Sequence, residues 1–109
     1  MANFYGTEKY HTGKPFLSYL FTDGVQAFCN KAEAYWFLIE AQIAINVVKQ
    51  DFLAIHLEVH NDESCRIFVI GEKGETAYEK KIPYTDCPAG DWLFYYDRQS
   101  NVFLWYMEY

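Results

Sequence analysis

From Asp91 to Tyr109 the sequence runs DWLFYYDRQSNVFLWYMEY, a strand, a polar loop and a second strand with apolar side chains on both faces. A hairpin with one wet face alternates apolar and polar residues, because successive side chains point to opposite sides. Here Leu93, Tyr95, Phe103 and Trp105 share one parity, and Trp92, Phe94, Tyr96, Val102, Leu104 and Tyr106 share the other. One face requires the protein's own core. The second requires cover from more of the chain, a second copy or a foreign protein, since a contiguous apolar patch left in water is a binding site or an aggregation hazard. Within the chain, Tyr5, Tyr10, Phe16, Tyr19 and Leu20 are the N-terminal residues that offer such cover.

The remaining sequence predicts one α+β domain over 1–109. Its 51% apolar and 20% aromatic content is enough for one core, and no composition break divides it. Asp23 with Gln26, and Asn30 with Glu33, have the spacing of capping boxes. They predict a helical segment from Gly24 to Cys29 and another from Lys31 to Gln50, or one kinked helix. Val25, Phe28 and Cys29 would face inward on the first, and Tyr35, Leu38, Ile39, Ile43, Ile45 and Val47 on the second. Ala34, Ala41 and Ala44 would let the helix lie close to a sheet.

After Gln50 the period changes to two, with Leu53, Ile55, Leu57 and Val59 alternating with polar or smaller residues. Turn signals at Asn61–Ser64, Gly71–Gly74 and Pro83–Gly90 then separate strands at Cys65–Ile70 and Glu75–Ile82 from the C-terminal hairpin. The expectation is a five-stranded antiparallel meander with the helical layer on one face. Placing Glu58 opposite Arg66, and Arg66 opposite Glu79, keeps the apolar faces together. Leu53, Ile55, Leu57, Val59, Cys65, Ile67, Val69, Tyr78 and Ile82 would then face the helices. His56, Glu58, His60, Arg66, Glu75 and Glu79 would lie outside, with Phe68 and Ile70 among them.

Composition also excludes classes of function. Fifteen carboxylates against nine Lys and Arg give a charge of −6, with no basic run longer than Lys80-Lys81. Displacing counterions from phosphates needs more than this, so direct nucleic-acid binding is not expected. The longest apolar stretch, Ala34 to Val48, is broken by Glu40, Gln42 and Asn46 and is too short to cross a membrane. The N-terminus MANFYGTEKYHTGK lacks the apolar region of a secretory signal, which predicts a cytoplasmic protein. Cys29, Cys65 and Cys87 are odd in number and in no metal-ligand spacing, so reduced, buried thiols are expected.

No motif supplies catalytic, metal or cofactor chemistry. His56-x-Glu58-x-His60 lies on a strand, where residues four apart are separated by roughly 13 Å, too far to share one zinc ion. The carboxylate pairs Asp62-Glu63 and Glu72 with Glu75 fall in turns, and no serine sits in a nucleophile-elbow sequence. Thr22-Asp23 reads as a helix start and Thr85-Asp86 as an ordered loop, in which Asp86 is a lesser binding candidate. An enzyme would need a pocket joining His11, His56 or Cys87 to carboxylates.

Phe4-Tyr5-Gly6-Thr7-Glu8, Thr22-Asp23-Gly24-Val25, Ala34-Tyr35-Trp36, Ile82-Pro83-Tyr84-Thr85-Asp86 and Glu108-Tyr109, in this order, resemble a small family of unknown function found in bacteria, phages and other mobile elements. The resemblance spans nearly the whole chain and brings no catalytic residues with it. Small acidic proteins of mobile elements are similar in class to inhibitors of host defence, including anti-CRISPR proteins. The resemblance therefore implies a non-enzymatic inhibitor whose protein partner is a CRISPR effector nuclease such as Cas9, with basic channels that an acidic protein could block. The expected partner-binding residues are Asp62, Glu63, Glu72, Glu75, Trp92, Phe94, Tyr96 and Tyr106. The alternative is a homodimer formed through the second hairpin face.

Overall fold

The alternation at Leu53, Ile55, Leu57 and Val59 gives a strand with one side for a core. In the computed structural model, which describes residues 10–13, 17–32 and 34–108, it lies inside a seven-stranded sheet. The elements are β1 (Tyr10–Thr12), β2 (Leu20–Thr22), α1 (Asp23–Ala32), α2 (Trp36–Val47), β3 (Phe52–Val59), β4 (Cys65–Ile70), β5 (Thr76–Ile82), β6 (Gly90–Asp97), β7 (Val102–Trp105) and a 3-10 turn, Tyr106–Glu108. The strand order is β1-β2-β7-β6-β3-β4-β5. Every neighbouring pair is antiparallel except β2 with β7.

The α+β class is as expected, and the five-stranded meander is corrected in two ways. β1 and β2 are additional strands, each of three residues and too short for an alternation pattern; β2 is fixed instead by pairing with β7, and β1 by pairing with β2. The hairpin β6-β7 also leaves the β5 edge and pairs with β3, so β6-β3-β4-β5 has the spatial order of a Greek key. The reason lies in what each strand carries. β6 sets Trp92, Phe94 and Tyr96 opposite Leu57, Ile55 and Leu53, joining two apolar surfaces. β5 is mostly exposed and carries Glu79, Lys80 and Lys81, a composition suited to an edge.

The crossing, residues 83–89, must span roughly 14 Å over β4 and β3. It is pinned midway by the Thr85 N–H donating to the Glu63 carbonyl at 2.8 Å. Thr85 Oγ1 in turn accepts from the Cys87 N–H at 3.1 Å, and both residues are buried. The Pro83-Tyr84-Thr85-Asp86 stretch thus has a structural role.

Glu58 faces Arg66 as expected, whereas Arg66 faces Lys81 and Glu79 faces Phe68. The slip is two residues, so the apolar face is preserved, and Arg66 still reaches Glu79 diagonally at 2.9 Å. In the hairpin, Phe94 pairs with Trp105 and Tyr96 with Phe103, so even positions of β6 share a face with odd positions of β7. Trp92, Phe94, Tyr96, Phe103 and Trp105 belong to the helix-facing core. Val102 and Leu104 form a second cluster with Tyr10, Leu20 and Tyr95, in which Leu104 is fully buried. The chain's own N-terminal strands therefore supply cover there. Tyr19 turns instead into the helix-facing core, and Tyr5 and Phe16 lie outside the described residues.

α1 starts one residue earlier than its sequence signature suggests. Thr22 Oγ1 accepts the Val25 N–H at 3.4 Å, as an N-cap does, while Asp23 bonds His11 Nε2 at 2.8 Å. The capping carboxylate comes from the far end of the chain. Glu108 Oε2 accepts the Gly24 N–H at 2.9 Å, and its Oε1 accepts from Thr22 Oγ1 at 2.5 Å and from the Trp105 N–H at 2.9 Å. A Cβ on Gly24 would meet this carboxylate at 2.5 Å, so the glycine leaves room for the cap. Two of the sequence motifs, Thr22-Asp23-Gly24-Val25 and Glu108, thus form one junction. In the second capping box, Glu33 lies outside the described residues, and Asn30 accepts the Tyr35 hydroxyl.

α2 departs most from expectation. It buries Phe37, Leu38, Ala41, Ala44 and Ile45, and leaves Tyr35, Ile39, Ile43 and Val47 in solvent. The segment is apolar around most of its circumference, so helical spacing admits two stripes. The sheet takes the stripe with alanines, which bring the helix axis close, and with Phe37, whose ring packs 5.0 Å from Phe94 and 5.9 Å from Phe103. The bulkier stripe is left outside.

Candidate protein-interaction site

Tyr35, Ile39, Ile43 and Val47 recur every four residues and form a ridge about 18 Å long on the outer face of α2. They are 48%, 47%, 40% and 55% exposed. Scattered apolar surface residues are ordinary, but a continuous ridge of aromatic and β-branched side chains resembles the apolar centre of a protein interface. Its flanks are polar. Gln42 accepts from the backbone N–H and hydroxyl of Ser18 at 2.7 and 2.9 Å and donates to Asn46 at 3.1 Å. On the other side Glu40 pairs with Lys80 of β5 at 2.6 Å.

Beyond Glu40 the ridge continues into a cavity of about 590 Å³ between α2 and the end of β5, lined by Trp36, Ile39, Lys81, Ile82, Pro83 and Tyr84 among others. Tyr84 is the most exposed ring of this wall, and its hydroxyl donates to Asp86 Oδ1 at 2.6 Å. That bond, with the charge of Asp86 and Glu63, pushes the phenol pKa up to about 12, so the hydroxyl remains a donor. Ile39 belongs to both ridge and cavity, which makes one surface. Trp and Tyr at such a surface present large apolar area with few rotatable bonds.

Fixed groups hold α2 in place. Tyr19, buried among Phe103 and Tyr96, donates its hydroxyl to the Leu38 carbonyl at 2.6 Å, and burial raises its pKa. At the C-terminal end of the helix, Arg98 from the β6-β7 loop donates Nη2 to the carbonyls of Ile45 and Val48 at 3.0 and 2.8 Å. Its Nε reaches the Gln50 carbonyl at 2.8 Å. A guanidinium here satisfies orphan carbonyls and meets the negative end of the helix dipole.

The residues expected to bind a partner are not gathered on this surface. Asp62 and Glu63 lie in the β3-β4 turn, and Glu72 and Glu75 in the β4-β5 turn, at opposite ends of β4 and roughly 20 Å apart. Asp62 Oδ1 accepts the Ser64 N–H and hydroxyl at 3.0 and 2.6 Å, which lowers its pKa and orders the turn. Glu63 has a φ of 72° and gives its carbonyl to Thr85. The Glu72 N–H donates to Gln50 Oε1 at 3.2 Å, and the Glu75 side chain lies over Gly71. Phe94 and Tyr96 are buried in the core and present no surface, which removes them from any contact with a partner. Trp92 is partly buried against Phe28, and Tyr106 is exposed on the final 3-10 turn. Helical spacing alone places Tyr35, Ile39, Ile43 and Val47 in the core, which hides the α2 ridge in the sequence. A helix apolar on nearly all sides was the available signal.

His56 stacks on Phe68 at 4.6 Å, and the Arg66 guanidinium lies 3.9 Å from the same ring. Burial and the Arg66 charge lower the His56 pKa. His60 bonds Glu58 and Ser64 at 2.8 and 3.1 Å. Among the described residues, no group of three or more His, Cys, Asp or Glu is placed to hold a metal ion. The cysteines are buried free thiols; burial pushes Cys29 up to about 12 and Cys87 up to about 11 and raises Cys65, which keeps all three protonated at neutral pH. Among the described residues, no helix is long and apolar enough to cross a membrane.

No curated protein and no solved structure matches the chain. One family model does, over residues 1–109, and the chain accordingly belongs to DUF6876, a family of unknown function.

Proposed function

We propose that this is a non-catalytic protein-binding domain that acts by occupying a surface of its partner with the outer face of α2. The observation that carries the reading is the ridge Tyr35, Ile39, Ile43 and Val47, which the 12-residue helix α2 holds in water although the same helix could have buried that apolar stripe instead. Apolar centre, polar flanks and adjoining aromatic cavity are the parts of a protein interface. The acidic turns flank the sheet ends and contribute long-range attraction to a basic partner. The partner class that fits a small acidic protein of mobile elements is a host-defence nuclease, with inhibition as the outcome of binding.

The test pairs capture with function. The protein and an Ile39→Asp/Ile43→Asp variant are used to capture partners from a CRISPR-bearing host and are added to cleavage assays of the captured nuclease. The expected result is capture and slowed cleavage by the unaltered protein and neither by the variant. Capture by the variant at unaltered strength removes the α2 surface. Absence of inhibition across defence nucleases removes the inhibitor reading. Light scattering of the pure protein separates both from a homodimer formed through the ridge.

A further inference from the structure

A second apolar cavity, remote from the α2 ridge in the chain, opens between α1 and the helix-facing side of β6 and β7. It holds about 400 Å³ and is walled by Ala27, Phe28, Ala32, Pro88, Trp92 and Trp105, with Gly24 and Lys31 completing it. That volume lies within the range of small-molecule sites, whose walls are mostly apolar with a few placed polar groups. The space has a local cause. Gly24, Ala27 and Lys31 share one face of α1 and set no bulk at its middle, while Phe28 packs 5.4 Å from Trp92.

The polar chemistry of the lining is one-sided. Its side chains offer the Lys31 ammonium and the indole N–H groups of Trp92 and Trp105, which donate and cannot accept. None of these three groups has a hydrogen-bond or ion-pair partner among the described residues. The Glu108 carboxylate that touches Gly24 and Trp105 is taken up by the N–H groups of both and by the Thr22 hydroxyl and is not part of the lining. The lining itself holds one cation, without a partner among the described residues, and no carboxylate, and is complementary to an anion. The two indoles and Phe28 favour a flat, polarisable body.

We propose that this cavity binds a small organic anion with a ring-sized apolar body, the ring between α1 and the two indoles and the anionic group at Lys31. The proposal stands apart from the α2 surface and does not depend on it.

The test titrates the full chain with 1-naphthoate and with its neutral analogue 1-naphthalenemethanol, following tryptophan fluorescence and the indole N–H signals in a proton–nitrogen correlation spectrum. Naphthoate should bind about fivefold more tightly than the alcohol, the upper range for a partly exposed charge contact. It should shift the Trp92 and Trp105 signals and leave Trp36, outside the cavity, in place. Lys31→Gln, at an exposed position, should abolish the preference without changing the affinity for the alcohol. Ala27→Trp should fill the cavity and block both ligands, with a thermal melt confirming that each variant is folded. Equal affinity for the two ligands, a preference that survives Lys31→Gln, shifts that persist in Ala27→Trp, or absence of binding at millimolar ligand would each overturn the proposal.

Discussion

Removing the Arg98 side chain should cost about 3 kcal/mol of folding stability. Its guanidinium makes three hydrogen bonds to the carbonyls of Ile45, Val48 and Gln50, and its backbone N–H makes a fourth to Asp51 that survives truncation. Each charge-assisted bond is worth about 1.5 kcal/mol at the low end, appropriate to a half-buried group. The dipole of α2 adds about 0.5 kcal/mol, and the contact with the Tyr96 ring, 5.4 Å from the guanidinium carbon, adds a comparable amount. The three bonds share one half-buried guanidinium and are not additive, so about 3 kcal/mol of that roughly 5.5 kcal/mol sum is expected. For a chain of 109 residues the unfolding entropy is about 0.23 kcal/mol/K, so the melting temperature of Arg98→Ala should fall by about 13 °C. Arg98→Lys keeps the charge but reaches fewer carbonyls, and should lose about half as much. Thermal melts followed by circular dichroism, with urea titrations for the free energy, measure both. A loss below about 1 kcal/mol in Arg98→Ala, or equal losses in the two variants, would refute the view that the fork of donors anchors α2.

The junction of Gly24 with Glu108 is tested by a double-mutant cycle. Glu108→Ala should cost about 1 kcal/mol through the lost cap, and Gly24→Ala a similar amount by displacing the same carboxylate. In the Glu108→Ala background, Gly24→Ala should instead stabilise by up to about 1 kcal/mol, the helix propensity of alanine over glycine; additive losses in urea titration would contradict the shared carboxylate. Protonation of His56 gives a pH signature. Its folded pKa lies below the ordinary value of 6.5, so the unfolded chain takes up the proton first, and stability present above about pH 6.5 is lost as the pH falls through the folded pKa. Melting temperatures from pH 8 to pH 5 should decline on that limb, and His56→Gln should flatten it. An unchanged slope in the variant would place the titration elsewhere.

Much of the fold could be read wherever one face of an element is wet. Leu53 to Val59 and Cys65 to Val69 alternate because their outer neighbours are His56, Glu58, Arg66 and Phe68, so face and pairing followed from the pattern. The same logic failed on α2 and on the hairpin, where both sides are apolar and periodicity loses its contrast. On α2 it selected the bulky stripe, although close packing on the sheet favours Ala41 and Ala44. In the hairpin, parity could not reveal that faces exchange across the loop, since that depends on the register Tyr96 with Phe103. The Greek-key crossing depends on which strand tolerates an edge, and the charges of β5 carried that information. Glu108 and Arg98 act on helices far away in sequence, and local capping signatures do not contain such partners. The candidate site escaped for the same reason as the face of α2: residues assigned to the core were excluded from the surface.

The measurement closest to the central claim compares Ile39→Asp with its neighbour Leu38→Asp, followed by partner capture with the stable variant. Ile39 is half exposed and Leu38 is buried beneath the helix. Ile39→Asp should change stability by no more than about 0.5 kcal/mol, whereas Leu38→Asp should lose about 3 kcal/mol or more. The stable Ile39→Asp protein should capture a partner far less well than the unaltered chain. A large stability loss in Ile39→Asp, or full capture by that folded variant, would contradict an outward ridge that exists for binding.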